Sequence, residues 1–99
     1  MTASRRESFV IDRPDFRFSL EPYEDFQFIH QEVRVFNRAV RRETQQIIDT
    51  LTGHGIDLRV FAAPNNRKLI RYAAYYGFVP SYTLTSPYDG AEYLILEIF

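Results

Sequence analysis

The chain contains no cysteine and only four glycines in 99 residues. The first absence excludes a disulfide framework and a thiolate metal site, and it is compatible with a reducing compartment. No apolar run approaches the roughly 18 residues of a membrane-crossing helix, and the N-terminus MTASRRES lacks the apolar block of a signal peptide. A nucleophile elbow, a zinc signature and a Walker loop are also missing, so no metal site is expected and no catalytic class announces itself by motif. Neither an internal repeat nor a low-complexity segment interrupts the sequence. The expectation is a soluble, cytoplasmic protein with no membrane partner.

Hydrophobic residues make up 45% of the chain, with nine Phe and seven Tyr, enough large side chains to build one core. Splitting so short a chain would leave two pieces too small to bury a stable core without staples. Residues 9–99 are therefore read as a single domain behind a polar, frayed segment at 1–8. The formal net charge of −1 is unevenly spread. Residues 1–32 hold four Arg against seven acids, residues 33–72 hold eight basic residues against three acids, and residues 73–99 hold three acids and no base. A basic middle fits either an anionic ligand or a solvated helix face.

Phe9–Ile11 is a short β-prone run, broken by Arg13-Pro14-Asp15. Phe16, Phe18 and Leu20 alternate on one face of a strand. Glu21–Asp25 reads as a polar connection before a second strand from Phe26. There Phe26 and Phe28 share one parity while Ile29, Val33 and Val35 hold the other, which implies a bulge near Phe28–His30 or a strand covered on both faces. Val40, Thr44, Ile47, Ile48 and Leu51 trace the stripe of a helix from about Asn37 to Thr52, capped by Asn37 and stopped at Gly53-His54-Gly55. Ile56–Ala63 follows as a strand, so the helix makes a crossover between parallel strands. A second helix starts at Asn65 or Asn66, packs through Leu69, Ala73 and Tyr76, and ends at Gly77. Phe78–Leu84 and Glu92–Phe99 form an antiparallel pair around a turn at Ser86–Gly90. The fold class is α/β, an α+β sandwich whose mixed sheet, in the order β-β-α-β-α-β-β, carries two helices and a parallel crossover in the middle.

Such a crossover directs both helix N-termini to one sheet edge. Arg38, Arg41 and Arg42 of the first helix, with Arg67, Lys68 and Arg71 of the second, would make that edge basic, and the helix dipoles add to them. A phosphate-bearing ligand fits this arrangement. Glycines that let a backbone wrap pyrophosphate are absent from Phe36–Val40. His54, between two glycines, reads as an exposed loop residue, and His30 as a strand residue with Glu32 as its candidate catalytic neighbour. Tyr72, Tyr75 and Tyr76 cluster on the second helix, where one hydroxyl could serve as a proton donor.

From about Phe26, and most clearly over Val33–Phe99, the chain resembles the GCN5-related N-acetyltransferase (GNAT) superfamily. The resemblance rests on Asn66 and, eleven residues later, Gly77-Phe78, set in the order bulged strand, helix, strand, helix, closing strands. It implies an acetyl-coenzyme A (acetyl-CoA) cofactor between splayed parallel strands. Arg38, Arg41 and Arg42 would then hold the pyrophosphate, Asn66 would orient the cofactor, and Tyr72 or Tyr75 would be the catalytic general acid. Three features depart from the family pattern: the loop glycines are missing across Val35–Val40, the usual proton-donating tyrosine falls on Ala73, and the N-terminal helices that shape the acceptor site have no room. In this truncated, glycine-poor form the chain is similar to small phage-encoded GNAT-like proteins, virion-associated ones included.

The leading expectation is thus a small GNAT-like protein from a phage or mobile element, with a degenerate acyl-CoA site, acting in the host cytoplasm through a host or virion protein partner. One alternative is a minimal acyl-CoA-dependent N-acyltransferase. Another is a nucleic-acid-binding protein using the basic middle, which the acidic flanks and the lack of a recognisable module disfavour. The apolar strand Tyr93–Phe99 is a candidate for pairing with a second copy as a homodimer.

Overall fold

The computed structural model describes residues 7–98. Its elements are β1 (Phe9–Asp12), β2 (Phe16–Tyr23), β3 (Phe26–Val33), α1 (Arg38–Gly53), β4 (Leu58–Ala62), α2 (Arg67–Ala74), β5 (Phe78–Thr85) and β6 (Glu92–Ile98). The architecture is mixed α+β, with antiparallel strand pairs and one crossover helix, and it has one strand more than the sequence order anticipates. Contacts cluster into two compact units, one through Leu58 and one from Arg59.

In the first unit β1, β2 and β3 form an antiparallel meander. Phe9–Asp12 is a strand because β2 offers it a partner: Phe9 faces Leu20 and Asp12 faces Arg17. Residues 1–6 of the expected frayed segment lie outside the described residues. Glu7 and Ser8 are tied down, the first by paired bonds of 2.8 and 2.9 Å from the Arg17 guanidinium, the second by its N–H to the Leu20 carbonyl at 3.0 Å. The expected loop at Glu21–Asp25 is mostly strand, since β2 runs on to Tyr23 and only Glu24-Asp25 turn. Pro22 is tolerated there for a geometric reason. The Leu20 carbonyl points toward β1, so by the period of two the missing N–H of Pro22 would point the same way, beyond the end of β1.

β3 pairs with β2 in unbroken register from Phe16–Val33 to Tyr23–Phe26. The bulge anticipated near Phe28–His30 is therefore absent from this pairing, and both faces of β3 are used instead. Phe26 and Phe28 are buried on one face, where they pack with Tyr23 at centroid distances of 5.1–5.4 Å. On the other face Gln31 donates to Thr44 of α1 at 2.9 Å, which identifies the helix-facing side. Phe16, Phe18 and Leu20 lie on that side, and α1 buries Val40, Thr44, Ile48 and Leu51. Asn37 caps α1 as its spacing predicts. The chain then returns so that Gln27 N–H donates to the Asp57 carbonyl at 2.9 Å, just before β4 begins.

The second unit holds β4, β6 and β5 with α2. β6 pairs antiparallel with β4 on one side and with β5 on the other. β6 is thus an interior strand of its sheet, not the edge that pairing with a second copy would use. Ile95 and Leu96 of β6 are fully buried. α2 ends through Gly77 at φ 96°, where an added Cβ would meet the Ile98 side chain at 3.5 Å. The added Cβ would sit in ordinary contact, so it is the dihedral that favours glycine there.

The turn between β5 and β6 is held by Asp89, which accepts from Ala91 N–H at 2.9 Å and from the Tyr93 hydroxyl at 2.8 Å. The Ala91 backbone bond, then the Tyr93 hydroxyl, hold the Asp89 carboxyl below its ordinary value. A depressed folded pKa stabilises above the unfolded value and is lost as pH falls through the folded one. An acid titration followed by NMR should show Asp89 titrating below the ordinary carboxylate range, with the Ala91 amide signal moving in step.

Candidate functional site

Three groups of polar side chains stand out, two at helix starts and one on the meander. The first lies ahead of α1. Asn37 is extended and its side chain accepts from Val40 N–H at 2.9 Å, while its carbonyl accepts from Arg41 N–H. The first turn contains no acid and does contain Arg38 and Arg41, both exposed. Cations at the positive end of a helix cost roughly 0.3–1 kcal/mol each, so the helix dipole does not explain their placement. Arg42, the third expected cofactor ligand, lines a groove between β1 and α1 together with Phe9, Ile11 and Ile47. Beside it Arg13 and Glu43 form an ion pair at 2.8 Å.

The loop before Asn37 is committed inward. The Asp15 carbonyl accepts from both Arg34 N–H at 2.7 Å and Val35 N–H at 3.0 Å. The side chains of Val35 and Phe36 are turned out, 50% and 56% exposed.

The second group belongs to α2. The Asn66 side chain accepts from Leu69 N–H at 3.2 Å, so its carbonyl serves as the helix cap. Arg67, Lys68 and Arg71 are exposed. Tyr72 and Tyr76 meet edge-to-face with centroids 5.1 Å apart, and the Tyr76 hydroxyl donates to the Tyr72 oxygen at 2.9 Å. An oxygen that accepts in this way keeps its own proton for another partner. Tyr75, the other expected acid, is the C-cap and is 51% exposed. Ala73, the family position of the acid, is buried on the packed face with Tyr76.

The third group is on the face of the meander away from α1. His30 Nε2 bonds Glu21 Oε1 at 2.7 Å, both side chains being largely buried. Glu32, its expected neighbour, is 3.4 Å from Arg34 instead. The reason is strand geometry: His30 lies directly across from Ser19, which makes Glu21 its diagonal neighbour on β2 within reach of a long side chain. Ser19 was not singled out by sequence. Its parity with Arg17 and Glu21 is legible there, but its burial to 1% exposure and its unpartnered hydroxyl are not. His54 is an exposed helix-end residue whose Nδ1 lies 2.7 Å from the Thr50 carbonyl. Among the described residues no cluster of three His, Asp or Glu is placed to hold a metal, and no helix is long and apolar enough to cross a membrane.

A meander leading into a crossover helix, a return strand, a second Asn-capped helix that stops at Gly77, and a closing antiparallel pair together make a GNAT fold. A solved structure with that architecture, a Bordetella pertussis protein assigned to the GnaT family of acetyltransferases, superposes with a TM-score of 0.62 at 18% identity over 86% of this chain. The matched region spans 57% of that protein's length. No family model and no curated protein matches the sequence.

Proposed function

We propose that this chain is a GNAT-fold domain with a degenerate acyl-CoA site that acts mainly through contacts with a protein partner. The observation that supports the reading best is the loop ahead of α1, whose Arg34 and Val35 amides are consumed by Asp15 while Val35 and Phe36 face outward. A pyrophosphate cradle needs successive amides turned toward the ligand, and these two are turned away. An exposed aromatic next to arginines is instead the composition of an interface anchor. The partner class is a host or virion protein, and the resemblance to small phage-encoded proteins is the support for a phage or mobile-element source. Calorimetry with acetyl-CoA is expected to show no micromolar binding. Micromolar binding that disappears in Arg41→Ala with Arg42→Ala would overturn the proposal.

One observation favours a second reading, a minimal acyl-CoA-dependent N-acyltransferase. The Tyr76 hydroxyl donates to the Tyr72 oxygen, an arrangement that would suit Tyr72 as a proton donor to a departing thiolate. In this reading Arg38, Arg41, Arg42 and Asn66 would hold acetyl-CoA, with the arginine side chains substituting for the committed amides.

A further inference from the structure

β1 lies at the edge of the meander and, among the described residues, pairs with β2 alone. Its backbone is committed on one side only. At one end the Leu20 carbonyl of β2 points toward β1, and at the other Arg13 N–H donates to the Phe16 carbonyl at 2.8 Å. With Phe9 opposite Leu20, the strand period of two turns the N–H and C=O groups of Phe9 and Ile11 toward β2 and those of Val10 and Asp12 outward. No described residue bonds those outward groups. Two donors and two acceptors in strand spacing are what an extended chain can pair with.

The side chains beside this edge favour the same occupant. Phe9 and Ile11, on the α1 side of the sheet opposite Leu20 and Phe18, form with Ala39, Ile47 and Leu51 the apolar lining of a groove of about 620 Å³ between β1 and α1. Alternate side chains of an added strand would point into it. The charged residues lining the groove are Arg13, Arg42 and Glu43. Arg13 and Glu43 pair at 2.8 Å, whereas Arg42 has no ion-pair partner among the described residues. Residues 1–6 hold two arginines and no acid, so they cannot supply one. A carboxylate on the incoming strand would satisfy this guanidinium. A second copy docked through the same edge would set one Arg42-bearing rim against the other, because an isologous interface apposes like patches.

We infer that β1 is a docking edge for an extended segment of a partner protein, which adds a strand to the meander, seats alternate apolar side chains in the groove and meets Arg42 with a carboxylate. The inference names the partner surface for the protein-contact reading and rests on that reading for its role, yet its test contains no acetyl-CoA. Micromolar acetyl-CoA binding would end that reading and leave peptide docking standing. Absent docking would end this inference alone.

The test is an NMR titration of the full chain with an acetylated, amidated heptapeptide that alternates glutamate and valine and begins with glutamate. Saturable shifts are expected at Val10, Ile11, Asp12 and Ile47, with hydrogen exchange at the Val10 and Asp12 amides slowed about tenfold or more at saturation. A peptide with lysine in place of glutamate, and the acidic peptide N-methylated at every residue, are each expected to bind about tenfold or more weakly. Arg42→Glu is expected to reverse the preference between the acidic and basic peptides. Val10→Pro should abolish docking while keeping the β1–β2 bonds, because the N–H it removes points away from β2. Should that variant unfold, Arg42→Glu and the N-methylated peptide decide the matter. Unsaturable shifts, or equal binding of the N-methylated peptide, overturn the inference. So does docking that appears only after residues 2–6 are deleted, which would assign the edge to the chain's own N-terminus. A concentration-dependent dimer in light scattering that protects the Val10 and Asp12 amides without peptide would assign the edge to a second copy and overturn it as well.

Discussion

Phe18→Ala is expected to bring the chain close to complete unfolding at physiological temperature. Phe18 is fully buried at the centre of β2, between Ile11 of β1 and Gln31 of β3, on the side facing α1. The Phe9 ring meets it edge-to-face at 6.4 Å. Removing a buried phenyl ring costs about 3–5 kcal/mol in lost transfer energy and residual cavity. A domain of this size is stable by only about 5–15 kcal/mol in total. Strand β1, four residues long, is also left without the ring that its own Phe9 packs on. Urea unfolding should show the midpoint falling by about 1 M or more, given a slope of roughly 1–3 kcal/mol per molar urea. Phe36→Ala is the control: its ring is mostly exposed, so its midpoint should stay within the change produced by about 0.5 kcal/mol. Equal shifts in the two variants would show that the core has been misplaced.

The contrast between those phenylalanines also shows which parts of the molecule are readable from sequence. Phe18 announces its burial through alternation with Phe16 and Leu20, a pattern that depends only on neighbours in the chain. The stripe of α1 and its Asn37 cap are readable for the same reason, since the helix period and the cap bond are both local. β3 was ambiguous because its two apolar parities are satisfied by different layers, and sequence does not say that Phe26 and Phe28 find Tyr23 while Gln31 finds Thr44. The same limit hides the site. The His30–Glu21 pair and the orphaned Ser19 hydroxyl arise from cross-strand register, which was fixed only when β2 proved to run through Pro22 to a two-residue turn. At the α1 loop the missing glycines were visible, whereas the capture of the Arg34 and Val35 amides by Asp15, nineteen and twenty residues earlier in the chain, was not.

Ala73→Tyr is expected to destabilise the second unit, although it restores the residue type that the family resemblance calls for. Ala73 is 4% exposed and lies in the buried stripe of α2 with Tyr76. A phenol ring added there overfills a packed face, at a cost of about 1–3 kcal/mol or more. The melting temperature should fall by roughly 4–8 °C for each kcal/mol lost in a domain of this size. Tyr72, one residue earlier, is turned about 100° around the helix and is only partly buried, and Tyr72→Phe removes its bond from Tyr76, worth roughly 0.5–1.5 kcal/mol. The two substitutions therefore separate packing from chemistry. If the chain transfers acyl groups, Tyr72→Phe should lower the rate of amine labelling from labelled acetyl-CoA by roughly 10²–10⁴-fold while the protein stays folded. Ala73→Tyr should instead lose activity only as it loses structure. A folded Ala73→Tyr variant with enhanced labelling would show that position 73 faces the chemistry, and the degenerate-site reading would then fail at its most specific point. Absence of labelling in the parent chain, with both variants shifting only in stability, is the outcome that the committed loop amides lead us to expect.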